Sequence, residues 1–122
     1  MRLPSDEFVI NVHKLRRMSL VVVCGAVDLT NIHLLADAVD HLGYREVPLL
    51  LDLSAVRYID STGLHLIRRV YDQCAGKNVP FAMVANAMVR RLCALLSLTT
   101  VIPIFATTAL ARDHFGAEQS AH

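Results

Sequence analysis

Short apolar runs alternate along the chain with longer stretches whose apolar residues recur at helical spacing. The short runs are rich in β-branched and aliphatic residues, which favour strands. They lie at residues 8–13, 19–24, 48–53, 79–85 and 101–105. Two of them are continuously apolar at their centres, which is typical of strands covered on both faces. We expect Gly25 to end the second strand and a loop to lead from the third strand to Ile59.

Four stretches have apolar residues three and four positions apart, as one face of a helix requires. The predicted helices run from Thr30 or Asn31 to about residue 42, from Ser61 or Thr62 to about 75, from Asn86 to about 96, and from Thr107 or Thr108 to about 115. Each begins at a residue whose side-chain oxygen can accept a backbone N–H of the first turn. The predicted buried positions are Ile32, Leu35, Ala36, Val39 and Leu42, then Leu66, Ile67, Val70, Tyr71 and Cys74, then Val89, Leu92, Cys93 and Leu96.

The order of these elements, β-β-α-β-α-β-α-β-α, predicts the fold class. Strands that alternate with helices form an α/β domain with a mixed, mostly parallel sheet of about four or five strands. We expect its helices to pack mainly on one side. The 122 residues fit a single domain, with a core at about 8–115 and a frayed tail at 116–122. Pro103 interrupts the last strand and predicts that it is peripheral.

Charge and hydropathy narrow the function classes. The formal net charge is +1, and Lys and Arg occur in no run longer than a pair, so binding to nucleic acid through phosphates is not expected. The apolar runs at 20–27 and 101–110 are too short to span a bilayer, and residues 1–7 lack the apolar core of a secretory leader. We therefore expect a cytoplasmic protein with no membrane partner.

Cysteine and histidine do not suggest a metal or redox site. Cys24, Cys74 and Cys93 are widely spaced and odd in number, as expected of small buried hydrophobes in a reducing compartment. A redox pair of Cys74 and Cys93 is possible in principle, but their spacing does not favour it. The six histidines include His33 and His41, eight positions apart, and none forms a metal-ligand set with its neighbours.

The segment at residues 51–64 carries the candidate chemistry. A buried strand leads to Asp60, Ser61, Thr62 and Gly63, which open the second helix. The common role of Ser61 or Thr62 at this place is to cap the helix. A phosphoryl group on the same hydroxyl would face the positive end of the helix dipole and backbone N–H donors, so the position also suits a reversible charge switch.

This segment resembles the signature of the STAS family, the sulphate transporter and anti-sigma factor antagonist domains. Asp52-Leu-Ser54 and Ile59-Asp-Ser-Thr-Gly-Leu64 carry the resemblance, which extends over nearly the whole chain. Gly25-Ala-Val-Asp-Leu29 resembles the family's Gly-Glu-Val-Asp-Leu turn, with Ala26 in place of the acidic residue. Leu96-Ser-Leu-Thr-Thr-Val101 resembles its late Leu-x-x-x-Gly-Leu segment, with Thr100 in place of glycine.

The resemblance implies a STAS-type domain that acts as an anti-sigma factor antagonist in a partner-switching cycle. The unphosphorylated protein would bind an anti-sigma factor that has serine kinase activity and so release a sigma factor. The kinase would phosphorylate Ser61 with its own ATP and magnesium, and a serine phosphatase would reset the switch. No cofactor and no catalytic residue are implied for this chain. The implied partner-binding residues are Asp28, Asp60, Ser61, Thr62, Gly63 and Leu64.

The sequence allows two other interpretations. An enzyme is not favoured, because Ile59 stands where a nucleophile elbow around Ser61 would need glycine, and no phosphate-binding glycine loop is present. Asp52 and Asp60 could resemble an acid pair, but Asp52 is expected to close its strand. The alternative to the antagonist is a STAS-type regulatory scaffold or sensor module that binds another protein or a small ligand without an anti-sigma partner.

Overall fold

The computed structural model of the protein describes residues 7–43 and 45–120, with side chains up to residue 116. The strands are β1 (Val9–Lys14), β2 (Ser19–Val27), β3 (Leu49–Ile59), β4 (Phe81–Ala85) and β5 (Ile104–Phe105). The helices are α1 (Ile32–Asp40), α2 (Ser61–Gly76), α3 (Ala87–Leu95) and α4 (Thr108–Ser120), with a short 3-10 turn at Leu98–Thr100.

The five strands form one sheet in the order β1-β2-β3-β4-β5. β1 pairs with β2 in antiparallel fashion, and the other three pairings are parallel. The mixed, mostly parallel sheet predicted by the alternation of strands and helices is confirmed. β5 pairs at two positions only, so the prediction that the strand near Pro103 is peripheral is also confirmed.

The helices divide unequally between the two faces of the sheet. α1, α2 and α3 contribute buried side chains to the larger core, which also contains Val21, Leu51 and Met83. α4 lies on the opposite face, where Ala111 and Phe115 pack with Leu50, Ala82 and Val84 of the central strands. Most helices therefore pack on one side, as predicted, and α4 alone among the described helices covers the apolar residues of the other side.

Two strands are longer than the sequence indicated. β2 continues through Gly25 to Val27, and β3 continues to Ile59, where a loop was expected. The pairing slips at two irregularities, between Val22 and Cys24 and between Gly25 and Ala26; β2 keeps its alternation of buried and half-buried positions, whereas β3 loses it in its second half. Gly25 has a φ of 94°, and a Cβ there would lie 2.3 Å from the carbonyl oxygen of Glu7. Glycine thus permits an irregular strand at this position and does not end it.

Three further details differ from the predictions. α4 extends to Ser120, so much of the expected tail is helical, while residues 121 and 122 lie outside the described residues. Leu96, predicted to be buried, is 46% exposed and follows the last residue of α3, whereas Ile32, Ala36, Tyr71 and Leu92 are only partly buried against the core. Asn86 caps α3 as predicted, since its Oδ1 accepts the N–H of Val89 at 3.0 Å.

Candidate functional site

The candidate site lies where β2 and β3 end side by side. Val27 and Ile59 are register partners, and the N–H of Asp60 donates to the carbonyl oxygen of Val27 at 3.1 Å. Asp28 and Asp60 each follow a buried strand directly. The structure thus brings both aspartates to the carboxyl edge of the parallel strands, where sites in such folds usually form.

Asp60 is the residue that caps α2. Its Oδ1 accepts the backbone N–H of Thr62 at 3.0 Å and that of Gly63 at 3.2 Å, and it also accepts the Thr62 hydroxyl. Its Oδ2 accepts the N–H of Leu29, at 3.2 Å, from the turn after β2. The prediction that Ser61 or Thr62 caps this helix is therefore wrong. Asp60 precedes both of them in an extended conformation, and its carboxylate reaches the free N–H groups first.

The hydrogen bonds to Asp60 alter its acidity. The Thr62 hydroxyl is the main cause of the lowered pKa of Asp60, and the N–H groups of Gly63, Leu29 and Thr62 act in the same direction. Partial burial opposes them but does not cancel the effect. Asp60 is therefore a carboxylate at neutral pH, and α2 begins with a fixed negative charge at its positive end.

Ser61 is the first residue of α2, and its side chain is exposed. Its hydroxyl makes no hydrogen bond with any residue that the structure describes. Because Asp60 supplies the cap, this hydroxyl has no role in holding the start of the helix. The geometry leaves it accessible for chemistry on the surface.

Asp28 belongs to a tightly bonded turn between β2 and α1. Its Oδ1 accepts the N–H of Thr30 at 2.9 Å and also accepts the Thr30 hydroxyl. Asn31 stands at the N-cap position of α1, but its amide donates to the carbonyl oxygen of Ala26 at 2.8 Å, and its Oδ1 accepts the N–H of Asp28. The predicted cap of α1 by Thr30 or Asn31 is therefore wrong, because Asn31 stabilises the turn before the helix.

Gly63 and Leu64 lie behind the surface. Leu64 is only 7% exposed, and Gly63 is buried against the ends of the two strands. A Cβ on Gly63 would lie 2.6 Å from Ile59 Cγ1 and 3.2 Å from Val27 Cγ1. Glycine is needed here because the start of α2 lies directly against the strands. Both residues lie beneath the surface that Ser61 and Thr62 form, and neither presents much side-chain area to solvent.

Leu29 is the residue that the sequence interpretation missed. Its side chain is 71% exposed, although its backbone is bonded to Asp60. An apolar residue in a polar turn, directly after Asp28, was the available signal. The site therefore presents Asp28, Leu29, Ser61 and Thr62 at one edge of the sheet.

Asp52 was expected to close β3, but it lies within the longer strand. Its Oδ1 accepts the N–H of Ser54 at 2.9 Å. Nearby, the side-chain amide of Asn86 donates to the carbonyl oxygens of Ser54 and Val56, at 3.2 and 2.7 Å. These bonds stabilise the second half of β3, which leads the chain to Asp60.

Within residues 7–43 and 45–120, no group of three side chains from His, Cys, Asp and Glu comes together in a way that could hold a metal ion. None of the helices in that part of the chain has the length and apolar character needed to cross a bilayer.

Comparison with known proteins identifies the family. The model of the STAS domain matches residues 9–111, which include every strand and the first three helices. The chain belongs to the STAS domain family. No curated protein sequence is significantly similar to it.

Solved structures of similar shape include anti-sigma factor antagonists. One from Mycobacterium paratuberculosis is 28% identical, with a TM-score of 0.84 over 94% of this chain and 98% of that chain. The antagonist SpoIIAA in its unphosphorylated form is 14% identical, with a TM-score of 0.74 over 89% of this chain and 97% of that chain. The phosphorylated form of this Bacillus cell-fate determinant is 12% identical, with a TM-score of 0.68 over 87% and 98% of the two chains. The SpoIIAA likenesses establish the fold alone.

Proposed function

We propose that this STAS domain is an anti-sigma factor antagonist switched by phosphorylation of Ser61. In its unphosphorylated state it binds an anti-sigma factor with serine kinase activity and so releases a sigma factor. The observation that carries the proposal is the exposed Ser61 hydroxyl at the first position of α2, next to a cap made entirely by Asp60. The 28% identical antagonist structure over nearly the whole chain supports the same function.

The local geometry suits a phosphoryl group. The Ser61 oxygen attacks the γ-phosphorus of ATP held by the kinase, ADP leaves, and the hydroxyl proton passes to a base of the kinase. Since the hydroxyl makes no bond with the described residues, its modification removes no cap. The phosphate lies at the positive end of the α2 dipole, which stabilises negative charge by about 0.3–1 kcal/mol. SpoIIAA, which has the same fold, also exists in a phosphorylated form.

Binding is broken in this proposal by local charge. The phosphate adds about −1.5 to −2 charges at pH 7 next to the carboxylate of Asp60 and near the turn of Asp28. A partner surface that fits a neutral hydroxyl would then face a cluster of like charge, which costs several kcal/mol when water is excluded. In this cycle the domain is a substrate of the kinase and a binding partner of the anti-sigma factor. A serine phosphatase removes the phosphate. The cycle takes place in the cytoplasm.

The proposed contact surface consists of Asp28, Asp60, Ser61 and Thr62, with Leu29 added. Gly63 and Leu64 hold the surface from behind. Asp28→Ala is expected to weaken binding, because it frees the turn that presents Leu29. Asp52→Ala is the matched control, since Asp52 also bonds a nearby backbone N–H but lies within β3. Equal effects of the two substitutions on affinity would show that Asp28 is not part of the contact surface.

The decisive experiment uses the anti-sigma factors with kinase domains that the same genome encodes, purified one at a time. We expect one of them to bind the wild-type domain and, with Mg-ATP, to phosphorylate it on Ser61 only, as located by mass spectrometry. Ser61→Ala should abolish labelling and keep binding, while Thr62→Val should be labelled. Phosphate on Thr62 would contradict the assignment. Failure of every kinase to bind would favour the scaffold or sensor alternative.

A further inference from the structure

A groove between α1 and α2 is lined at one end by Thr62, the residue after Ser61, and we call it the α1–α2 groove. Its floor is apolar and is formed by Ile32, Ala36 and Leu66. Its rim carries the exposed basic side chains of His33, His65 and Arg69. His65 lies four residues after Ser61, so the two side chains share one face of α2 a single turn apart.

Neither His33, His65 nor Arg69 makes an ion pair with a residue in the described part of the chain, whereas the adjacent Arg68 pairs with Asp72 at 3.2 Å. No described carboxylate lines the groove. The carboxylates of α1 face elsewhere, since Asp37 lines the depression beside β1 and Asp40 lines the one near β3.

Leu29 gives the groove an apolar anchor at the end nearest to Ser61. Its side chain is 71% exposed, and its backbone N–H is held by Asp60, so the leucine is presented from a fixed turn. Because this backbone is already held, covering the leucine costs the freedom of its side chain but not that of the turn. The groove therefore combines an apolar centre with a rim that holds the guanidinium of Arg69 and the imidazole rings of His33 and His65, and no described carboxylate.

We propose that the α1–α2 groove binds an acidic amphipathic helix of the partner protein. Apolar side chains of that helix pack on Leu29 and on the floor, and its carboxylates face His33, His65 and Arg69. Such a helix complements the groove in both hydrophobicity and charge. The proposal rests on the proposed function, because the partner is the anti-sigma factor and Thr62, the neighbour of Ser61, lines the groove. A phosphate on Ser61 would compete with the acidic helix for His65.

A peptide experiment tests this without a kinase or nucleotide. The probe is a peptide of about 15 residues, since shorter helices are marginal in water, with leucine on one face and glutamate on the other. It is titrated into the ¹⁵N-labelled domain and followed by NMR. We expect shifts confined to the turn at Leu29 and the facing sides of α1 and α2, and affinity that falls as salt screens the charges. A peptide with lysine in place of glutamate is the control and should bind at least about tenfold more weakly.

Substitutions on the surface then locate the contact. The double variant His65→Glu with Arg69→Glu should weaken binding of the acidic peptide roughly tenfold, and Leu29→Ala should weaken its binding severalfold. The matched controls are Arg91→Glu and Leu95→Ala, which alter an exposed arginine and an exposed leucine on α3. The dispersion of each NMR spectrum verifies folding. Shifts centred on α3, equal binding of the lysine peptide, or no binding at millimolar peptide would overturn the proposal.

The outcome is separable from that of the proposed function. If the kinase phosphorylates Ser61 while the acidic peptide fails to bind, the switch stands and the groove proposal fails. If the peptide binds in the groove but no kinase labels Ser61, the groove stands as a docking surface for an acidic helix and the antagonist function fails.

Discussion

The backbone N–H of Leu29 donates to Oδ2 of Asp60 at 3.2 Å, although the two residues are 31 positions apart in the chain. The other carboxylate oxygen of Asp60 accepts the first N–H groups of α2. One side chain therefore both starts the helix that presents Ser61 and holds the turn that presents Leu29. The relative position of the hydroxyl and the exposed leucine depends on this carboxylate.

Replacing Asp60 should destabilise the domain. Asp60→Ala removes the cap of α2 and the acceptor for Leu29, and we expect a loss of about 1–2 kcal/mol in the free energy of unfolding. Asp60→Asn keeps one oxygen for the cap but loses the second acceptor, so its cost should be smaller. Urea unfolding measures both. An Asp60→Ala variant as stable as wild type would show that another group caps α2.

The charge of Asp60 predicts a pH dependence. The pKa of Asp60 is lowered in the folded protein from an ordinary value of 3.8, so the unfolded chain binds its proton first as the pH falls. The stabilising contribution is complete well above that value and is lost as the pH falls through the lowered pKa. The stability difference between wild type and Asp60→Asn should be constant from about pH 5 to 7 and shrink below about pH 4. A difference that grows in acid would contradict this direction.

Gly63 should tolerate no side chain. Gly63→Ala places a Cβ 2.6 Å from Ile59 Cγ1, and the resulting overpacking should cost about 1–3 kcal/mol. Gly76→Ala is the matched control, because it lies in the same helix with no atom within 4 Å of the added Cβ. That change should leave the free energy of unfolding unchanged or raise it by up to about 1 kcal/mol. Equal effects at the two glycines would mean that α2 can move away from the strands.

Phosphorylation should leave the fold intact. Because the Ser61 hydroxyl is exposed and makes no bond with the described residues, a phosphate there need displace no packed side chain. NMR spectra of the two forms should differ near Asp28, Leu29, Ser61 and His65, with the sheet unchanged. Shifts spread across β3 and β4 would mean that a conformational change, and not local charge, breaks the complex.

The buried cysteines should react slowly with alkylating reagents. Burial raises the pKa of the thiols of Cys74 and Cys93, although the charge of Lys77 partly opposes this at Cys74. The thiolate is the nucleophile, so the raised pKa lowers the reactivity of these thiols, and burial also blocks access of the reagent. Iodoacetamide should label them in the native protein far more slowly than in urea, as mass spectrometry can follow. Rapid native labelling of Cys93, which is fully buried, would show that α3 opens readily.

The order of elements and the two-sided burial of the central strands could be predicted because the pattern of apolar residues is strong there. The ends of β2 and β3 could not. Ser54, Arg57 and Tyr58 are exposed in the second half of β3, where the slipped pairing with β2 breaks the alternation on which the prediction depended. The bonds that keep this half extended come from Asn86, which is more than 25 residues further along the chain.

The site was predicted in its location but not in its detail. The sequence indicated that Asp28, Asp60 and Ser61 lie together at one edge of the sheet, and the structure places them there. Asp60, Ser61 and Thr62 are all good capping residues, however, and only the extended backbone at Asp60 decides among them. Leu29 could not be recognised as exposed and fixed, because its bond to Asp60 connects two turns distant in sequence.

The bond between Leu29 and Asp60 connects the turn after β2 to the turn after β3, so the site exists only in the folded chain. Val27 meets Ile59, and Leu29 meets Asp60, only after β2 and β3 have paired. A kinase that contacts both turns would therefore distinguish molecules by conformation, and a short linear peptide around Ser61 would be a poor substrate for it. Newly made or damaged copies would stay unmodified until they fold, so the phosphorylated pool would consist of native domains.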